Sequence, residues 1–146
     1  MSDLVLDAAR SHVHVRTFAE GVLARFAHDL ELVCGGLSGR ATPGAEGSAL
    51  IEAPLGAISV AGVLGTDARV DERALSATER RDILRKMQND VFHAGRDGVV
   101  RVEARADGGG ARVRIVPPNG KTVETIVHPV MRREGEAVRA TGTFEM

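Results

Sequence analysis

Over most of this chain the apolar residues recur at every second position, in runs a few residues long separated by turn-forming residues. Such a period suits β-strands with one buried face and cannot be met by helices. Ser11 to Thr17 sets Val13 and Val15 on the core-facing side, with His12, His14 and Arg16 opposite. Asp29 to Cys34 does the same, with Leu30, Leu32 and Cys34 against Asp29, Glu31 and Val33. Further on, Val100, Val102 and Ala104 oppose Arg101, Glu103 and Arg105, and Val113 and Ile115 oppose Arg112 and Arg114. Asp107-Gly108-Gly109-Gly110 joins those last two strands and tolerates the positive φ of a tight hairpin. Pro117-Pro118-Asn119-Gly120 turns into Thr122 to Val130, and a final strand, Ala137 to Phe144, carries Val138, Ala140, Gly142 and Phe144 on its apolar side. The pattern predicts an antiparallel meander.

Two regions break the alternation. Gly35 to Ser48 shifts to Gly, Ser, Ala, Thr and Pro and reads as a mobile exposed connection, after which strands resume at Ala49 to Ala53 and Gly56 to Val63. Ser76 to Val91 instead has helical spacing, with Ile83, Leu84, Met87 and Val91 on one side and Arg80, Arg81, Asp82, Arg85 and Lys86 on the other. Ser76-Ala77-Thr78-Glu79 fits a capping box at its start, and Asp82 stands at pairing distance from Arg85 and Lys86. This amphipathic helix must lie against the mouth or flank of the β structure.

Composition narrows the function classes. At 146 residues the chain is the length of one domain, so 1–146 is taken as a single unit. Lys and Arg number 19 against 20 Asp and Glu, which leaves no field favouring a polyanion. With no Trp, no Tyr and four Phe, a base-stacking platform is excluded as well, and nucleic acid is not an expected partner. Any cavity would have aliphatic walls. The start of the chain lacks the basic and apolar regions of a signal peptide, and no apolar run is long enough to span a membrane, so a cytoplasmic location is expected. The single cysteine, Cys34, agrees with a reducing compartment and reads as a small buried hydrophobe.

Few residues are arranged for chemistry. His12-Val13-His14 places two imidazoles on one strand face, as some metal-dependent barrel enzymes do, with His28, His93, His128, Asp29 or Glu31 as third-ligand candidates. The glycine and the carboxylate that flank such a pair in cupin-like enzymes are missing here. His28 and Asp29 are adjacent on a strand and point to opposite faces, so they form no dyad. Gly35-Gly36-Leu37-Ser38-Gly39 lacks the lysine and helix start of a phosphate loop, and no nucleophile motif occurs. The residues therefore predict no enzyme and no cofactor, with a metal-dependent enzyme using His12 and His14 as the alternative.

The stretch Phe26-Ala27-His28-Asp29-Leu30-Glu31-Leu32-Val33, together with the lone helix from Arg73 to Phe92, resembles the YceI-like family. The matching segments run in family order: Ser11 to Arg16, Gly21 to Leu32, Leu50 to Gly62, Asp71 to Val91, Val99 to Ile115 and Gly120 to Gly142, nearly the whole chain. The resemblance implies a lipocalin-like antiparallel β-barrel with one amphipathic helix, holding a polyisoprenoid or similar lipid and carrying no catalytic residues. Family members commonly have an export signal and further closing strands that this sequence lacks. The expectation is accordingly an open barrel, or a homodimer that completes the sheet through its edges.

An apolar ligand in such a barrel would meet Val13, Val15, Leu30, Leu32, Val102, Val113, Ile115 and Phe144, with Ile83 and Met87 on the lid and His28 near the mouth. The remaining alternative is a structural or assembly protein whose barrel is filled by its own side chains.

Overall fold

The computed structural model describes residues 3–17, 29–65, 67, 69–95 and 97–143. Its strands are β1 (Leu4–Val5), β2 (Val13–Thr17), β3 (Leu30–Cys34), β4 (Ser38–Thr42), β5 (Ser48–Pro54), β6 (Ile58–Leu64), β7 (Val70–Asp71), β8 (Val99–Asp107), β9 (Gly110–Val116), β10 (Val123–Val127), β11 (Val130–Glu134) and β12 (Ala137–Thr141). Among the described residues one α-helix, α1 (Ala77–Lys86), stands between β7 and β8 and runs on into a π-helical turn, Met87–Val91. The chain is mainly β with antiparallel sheets, as the alternation required.

The strands form a six-stranded sheet in the order β1-β4-β5-β8-β9-β10, a four-stranded sheet in the order β2-β3-β6-β7, and a separate β11-β12 hairpin. The two larger sheets are halves of one bent meander. β3 continues into β4 through Gly35-Gly36-Leu37, and β5 continues into β6 through a 3-10 turn at Leu55–Ala57. β3 pairs with β6 in one half and β4 with β5 in the other. β1 and β2 flank a further 3-10 turn, Ala8–Arg10, and pair with β4 and β3 respectively. Neighbouring strands thus bend at the same level, the device by which strands pass round a corner between crossed sheets.

Local chemistry fixes that corner. Gly36 has φ +63°, and a Cβ there would lie 3.3 Å from the Cβ of Ala57, so both the conformation and the space favour glycine. The Gly35 N–H donates to the Ala57 carbonyl at 3.3 Å, and the N–H of the fully buried Leu55 donates to Gly98 at 2.9 Å. Gln88 donates through Nε2 to the Leu55 carbonyl at 3.3 Å. Helix end, β8 approach and bend are held together at one residue.

Three apolar clusters follow the inner surface. Leu30, Leu32, Val60, Leu75, Ile83 and Met87 pack between the four-stranded half and the helix. Cys34, Leu37 and Ala53 fill the corner, and Val113, Ile115 and Val127 lie on the six-stranded half. Ile58 touches the first two clusters and Val100 the last two, so the core is continuous. Burying a leucine of this kind contributes roughly 2 kcal/mol.

The helix forms where its spacing predicts. Ser76 Oγ accepts from the Glu79 N–H at 3.1 Å and Glu79 Oε1 accepts from the Ser76 N–H at 3.1 Å, a complete capping box. Asp82 and Arg85 pair at 3.9 Å on the exposed side. From the same helix Arg80 reaches down to the sheet and donates to the carbonyls of Val60, Glu72 and, at 3.4 Å, Ala61.

Four expectations need correction. Gly35 to Ser48 is not all loop, because Ser38–Thr42 is a strand, β4, paired with β5 along its whole length. Thr122 to Val130 is broken at His128-Pro129, where proline has no N–H for a ladder, so β10 ends and β11 begins. Val138 and Ala140 lie on a hairpin exposed on both faces rather than in the core, since nothing among the described residues covers it. Val13 and Val15 do face inward, opposite Cys34 and Leu32, yet they are 37 and 39 % exposed. β2 is an edge strand, and the helix packs over its neighbours β3 and β6 instead. Among the described residues no closed barrel forms, with β1 and β10 as edges of one half and β2 and β7 as edges of the other.

Candidate functional site

The inner face of the six-stranded half is apolar on every long strand. Register aligns Gly39, Ile51, Val102, Ile115 and Val123 in one cross-strand row, and Ala41, Ala49, Ala104, Val113 and Thr125 in the next. Directly opposite residues share a face, so each row is a continuous strip across the sheet. Ile115 and Val113 are buried, whereas Ala49, Ile51, Val100, Val102 and Ala104 are only half-buried. On the four-stranded half, Leu30 and Leu32 are sealed, and Val13 and Val15 extend the same inner surface to an open edge. Part of the molecule's inward apolar surface is therefore filled and part remains accessible.

Thr17 completes the inner row of β2. It pairs with Leu30, which places it on the same side as Val13 and Val15, and it is 6 % exposed. Its Oγ1 has no hydrogen-bond partner among the described residues. A buried hydroxyl in this condition costs roughly 1–3 kcal/mol relative to a satisfied one.

The opposite face of the six-stranded half carries charge. Arg114 meets Glu103 at 3.9 Å and Arg112 meets Asp107 at 3.2 Å. A hollow of about 200 Å³ there is lined by Glu103, Arg105, Arg112, Arg114 and Glu124, and one of about 550 Å³ by the β6–β7 end is lined by Asp67, Arg69, Asp71, Glu72 and Arg73 with Val63, Gly65 and Val70. Mixed signs at short range neutralise one another in both, so neither is built to gather a polyanion.

The residues predicted to meet a ligand divide between the clusters. Leu30, Leu32, Ile83 and Met87 come together under the helix, while Val102, Val113 and Ile115 come together on the six-stranded half. His28 and Phe144 lie outside the described residues. His14, on the outer side of β2, and His12, just before that strand, are both exposed, and among the described residues no three His, Cys, Asp or Glu side chains converge as a metal site. Cys34 is buried in the corner, its thiol placed to donate to the carbonyls of Gly35 at 3.5 Å and Pro54 at 3.6 Å, and burial pushes its pKa above the ordinary 9.0. A neutral thiol held this way is not a nucleophile.

Thr17 and Ile51 were missed as inner-surface residues, and Ala104, read as facing inward, was left out of the candidate ligand contacts. For Thr17 the signal was present, since it shares the parity of Val13 and Val15. Ile51 and Ala104 become significant only once the pairing of β5 with β8 is known. No helix among the described residues is long and apolar enough to cross a membrane. Comparison with known proteins returned no matching family model, no matching curated protein and no matching solved structure.

Proposed function

We propose that this chain is a non-catalytic binding protein of YceI-like character, a rolled and incompletely closed lipocalin-like barrel that holds a slender apolar molecule, a prenyl or acyl chain, against its inner face. The observation that carries this reading is the contrast within one inner surface. Leu30 and Leu32 are fully covered, while inward aliphatic residues in register with them or continuous with their cluster, Val13, Val15, Ile51, Val100 and Val102, stay partly open. Each methylene that such a surface takes from water contributes about 0.8 kcal/mol before ordering costs. Among the described residues the uncharged, aliphatic lining suits a hydrocarbon and offers no general base or nucleophile.

The test is extraction of the purified protein with organic solvent and mass spectrometry of the extract, followed by titration with a fluorescent fatty acid or prenyl probe. Saturable binding that is lost in Ala104→Arg, with the fold retained by circular dichroism, is expected. No extractable apolar molecule and no saturable binding would refute the proposal and favour a barrel filled by its own side chains.

Assembly into a homodimer is supported by a second observation. On the β11-β12 hairpin Val130 is 69 % and Met131 61 % exposed, and a two-stranded ribbon with both faces in water is marginal alone. A second copy of the chain covering the hairpin gives a homodimer. Light scattering should then show a dimer that Met131→Lys dissociates; a monomer at every concentration would rule this out.

A further inference from the structure

Along β2 the inner row runs from Val13 and Val15, 37 and 39 % exposed, to Thr17, 6 % exposed. The row is a short apolar approach from the open edge that ends at a hydroxyl with no partner among the described residues. Native proteins pair nearly all such groups, and those left unpaired have a cause.

The geometry points to Thr17 as the polar end of the ligand site: we infer that it hydrogen-bonds an uncharged oxygen head group, a hydroxyl or ester carbonyl, of a ligand whose hydrocarbon chain lies along Val15 and Val13. This rests on the apolar-ligand reading above and adds the chemistry of the head.

The site excludes other heads by its surroundings. Directly across from Thr17 on the inner side stands Leu30, which itself packs with Leu32, Val60, Leu75, Ile83 and Met87. The nearest cation on the strand, Arg16, faces the outer side, where it pairs with Glu31 at 3.2 Å. Among the described residues no cation shares the inner face of β2 or β3, so a carboxylate or phosphate brought to Thr17 would lose its water without gaining a counter-charge there. A hydroxyl or carbonyl gains a hydrogen bond and relieves the orphan.

The experiment compares phytol, phytane and phytanic acid, which share a branched hydrocarbon skeleton and differ in the head, by displacement of a fluorescent apolar probe at neutral pH. Wild-type protein is expected to bind the alcohol roughly tenfold more tightly than the hydrocarbon, with the carboxylate weaker than the alcohol. Thr17→Val should abolish the preference while leaving phytane affinity and the thermal midpoint unchanged or raised, and Thr17→Ser should keep the preference. Equal binding of alcohol and hydrocarbon by the wild type, or an alcohol preference that survives Thr17→Val, would overturn the assignment while leaving the apolar-ligand reading standing. If none of the three displaces the probe and no probe binds, the apolar-ligand reading itself falls and this assignment with it.

Discussion

The guanidinium of Arg80, carried by the helix, hydrogen-bonds the backbone carbonyl of Val60 in the middle of β6. It also reaches Glu72 just beyond β7, so one side chain ties the covering helix to two points of the sheet below. A planar fork with several donors can satisfy diverging carbonyls that an ammonium cannot. Arg80→Ala is expected to cost about 2 kcal/mol in urea denaturation, with Arg80→Lys recovering less than half of that. Full recovery by lysine would mean that charge rather than geometry matters here.

Position along the inner surface should separate stability from binding. Leu30 is fully buried, so Leu30→Ala should cost about 3 kcal/mol or more through lost transfer energy and the cavity left behind. Val13→Ala and Val15→Ala, at an open edge, should cost under about 1 kcal/mol. If Val13 and Val15 line the ligand, those same variants weaken probe binding severalfold despite their small effect on the melt.

Burial raises the pKa of the Cys34 thiol above that of the unfolded chain. The folded state therefore keeps its proton where the unfolded state begins to lose it. The associated stability is fully present below about pH 9, the unfolded value, and declines as pH rises toward the folded one. Stability curves for the wild type and Cys34→Ala should converge above pH 9. At pH 8, alkylation by iodoacetamide should be slow in native protein and fast in urea; rapid native labelling would contradict the buried geometry.

At the bend, Gly36→Ala demands positive φ of an alanine and sets its Cβ 3.3 Å from that of Ala57. About 1–2 kcal/mol of destabilisation is expected, visible as a lowered thermal midpoint. Gly35→Ala meets nothing within 4 Å and serves as the control, with a smaller loss.

The strands whose inward residues are large were legible in the sequence, because alternation of Leu30, Leu32 and Cys34, or of Val113 and Ile115, sets a period that only a strand satisfies. β4 was not, since its inward positions are Gly39 and Ala41 and carry no hydrophobic signal. At Gly39 an added Cβ would fall 2.4 Å from the Leu50 carbonyl, so close packing selects the very residue that reads as loop. The helix was readable from its cap and spacing, and the Asp107 to Gly110 hairpin from its glycines, which take φ +55° and +92° at Gly108 and Gly109. Parity gave the facing of Val13 and Val15 correctly but not their exposure. Whether an inward residue is covered depends on which strand lies at the sheet edge, a property of the pairing order rather than of the strand itself.

That order has a mechanical corollary for α1. β7 and β8 pair with β6 and β5, on either side of the Leu55–Ala57 turn, so the helix is hung as a detour between two segments that pair with one continuous run of chain. Lifting it would part the Arg80 contacts, the Gln88 bond to the Leu55 carbonyl and its packing on Leu30 and Val60, yet no rung of either ladder. Cover and floor can accordingly be loosened or tightened by separate substitutions, and access to the interior can change without loss of the scaffold.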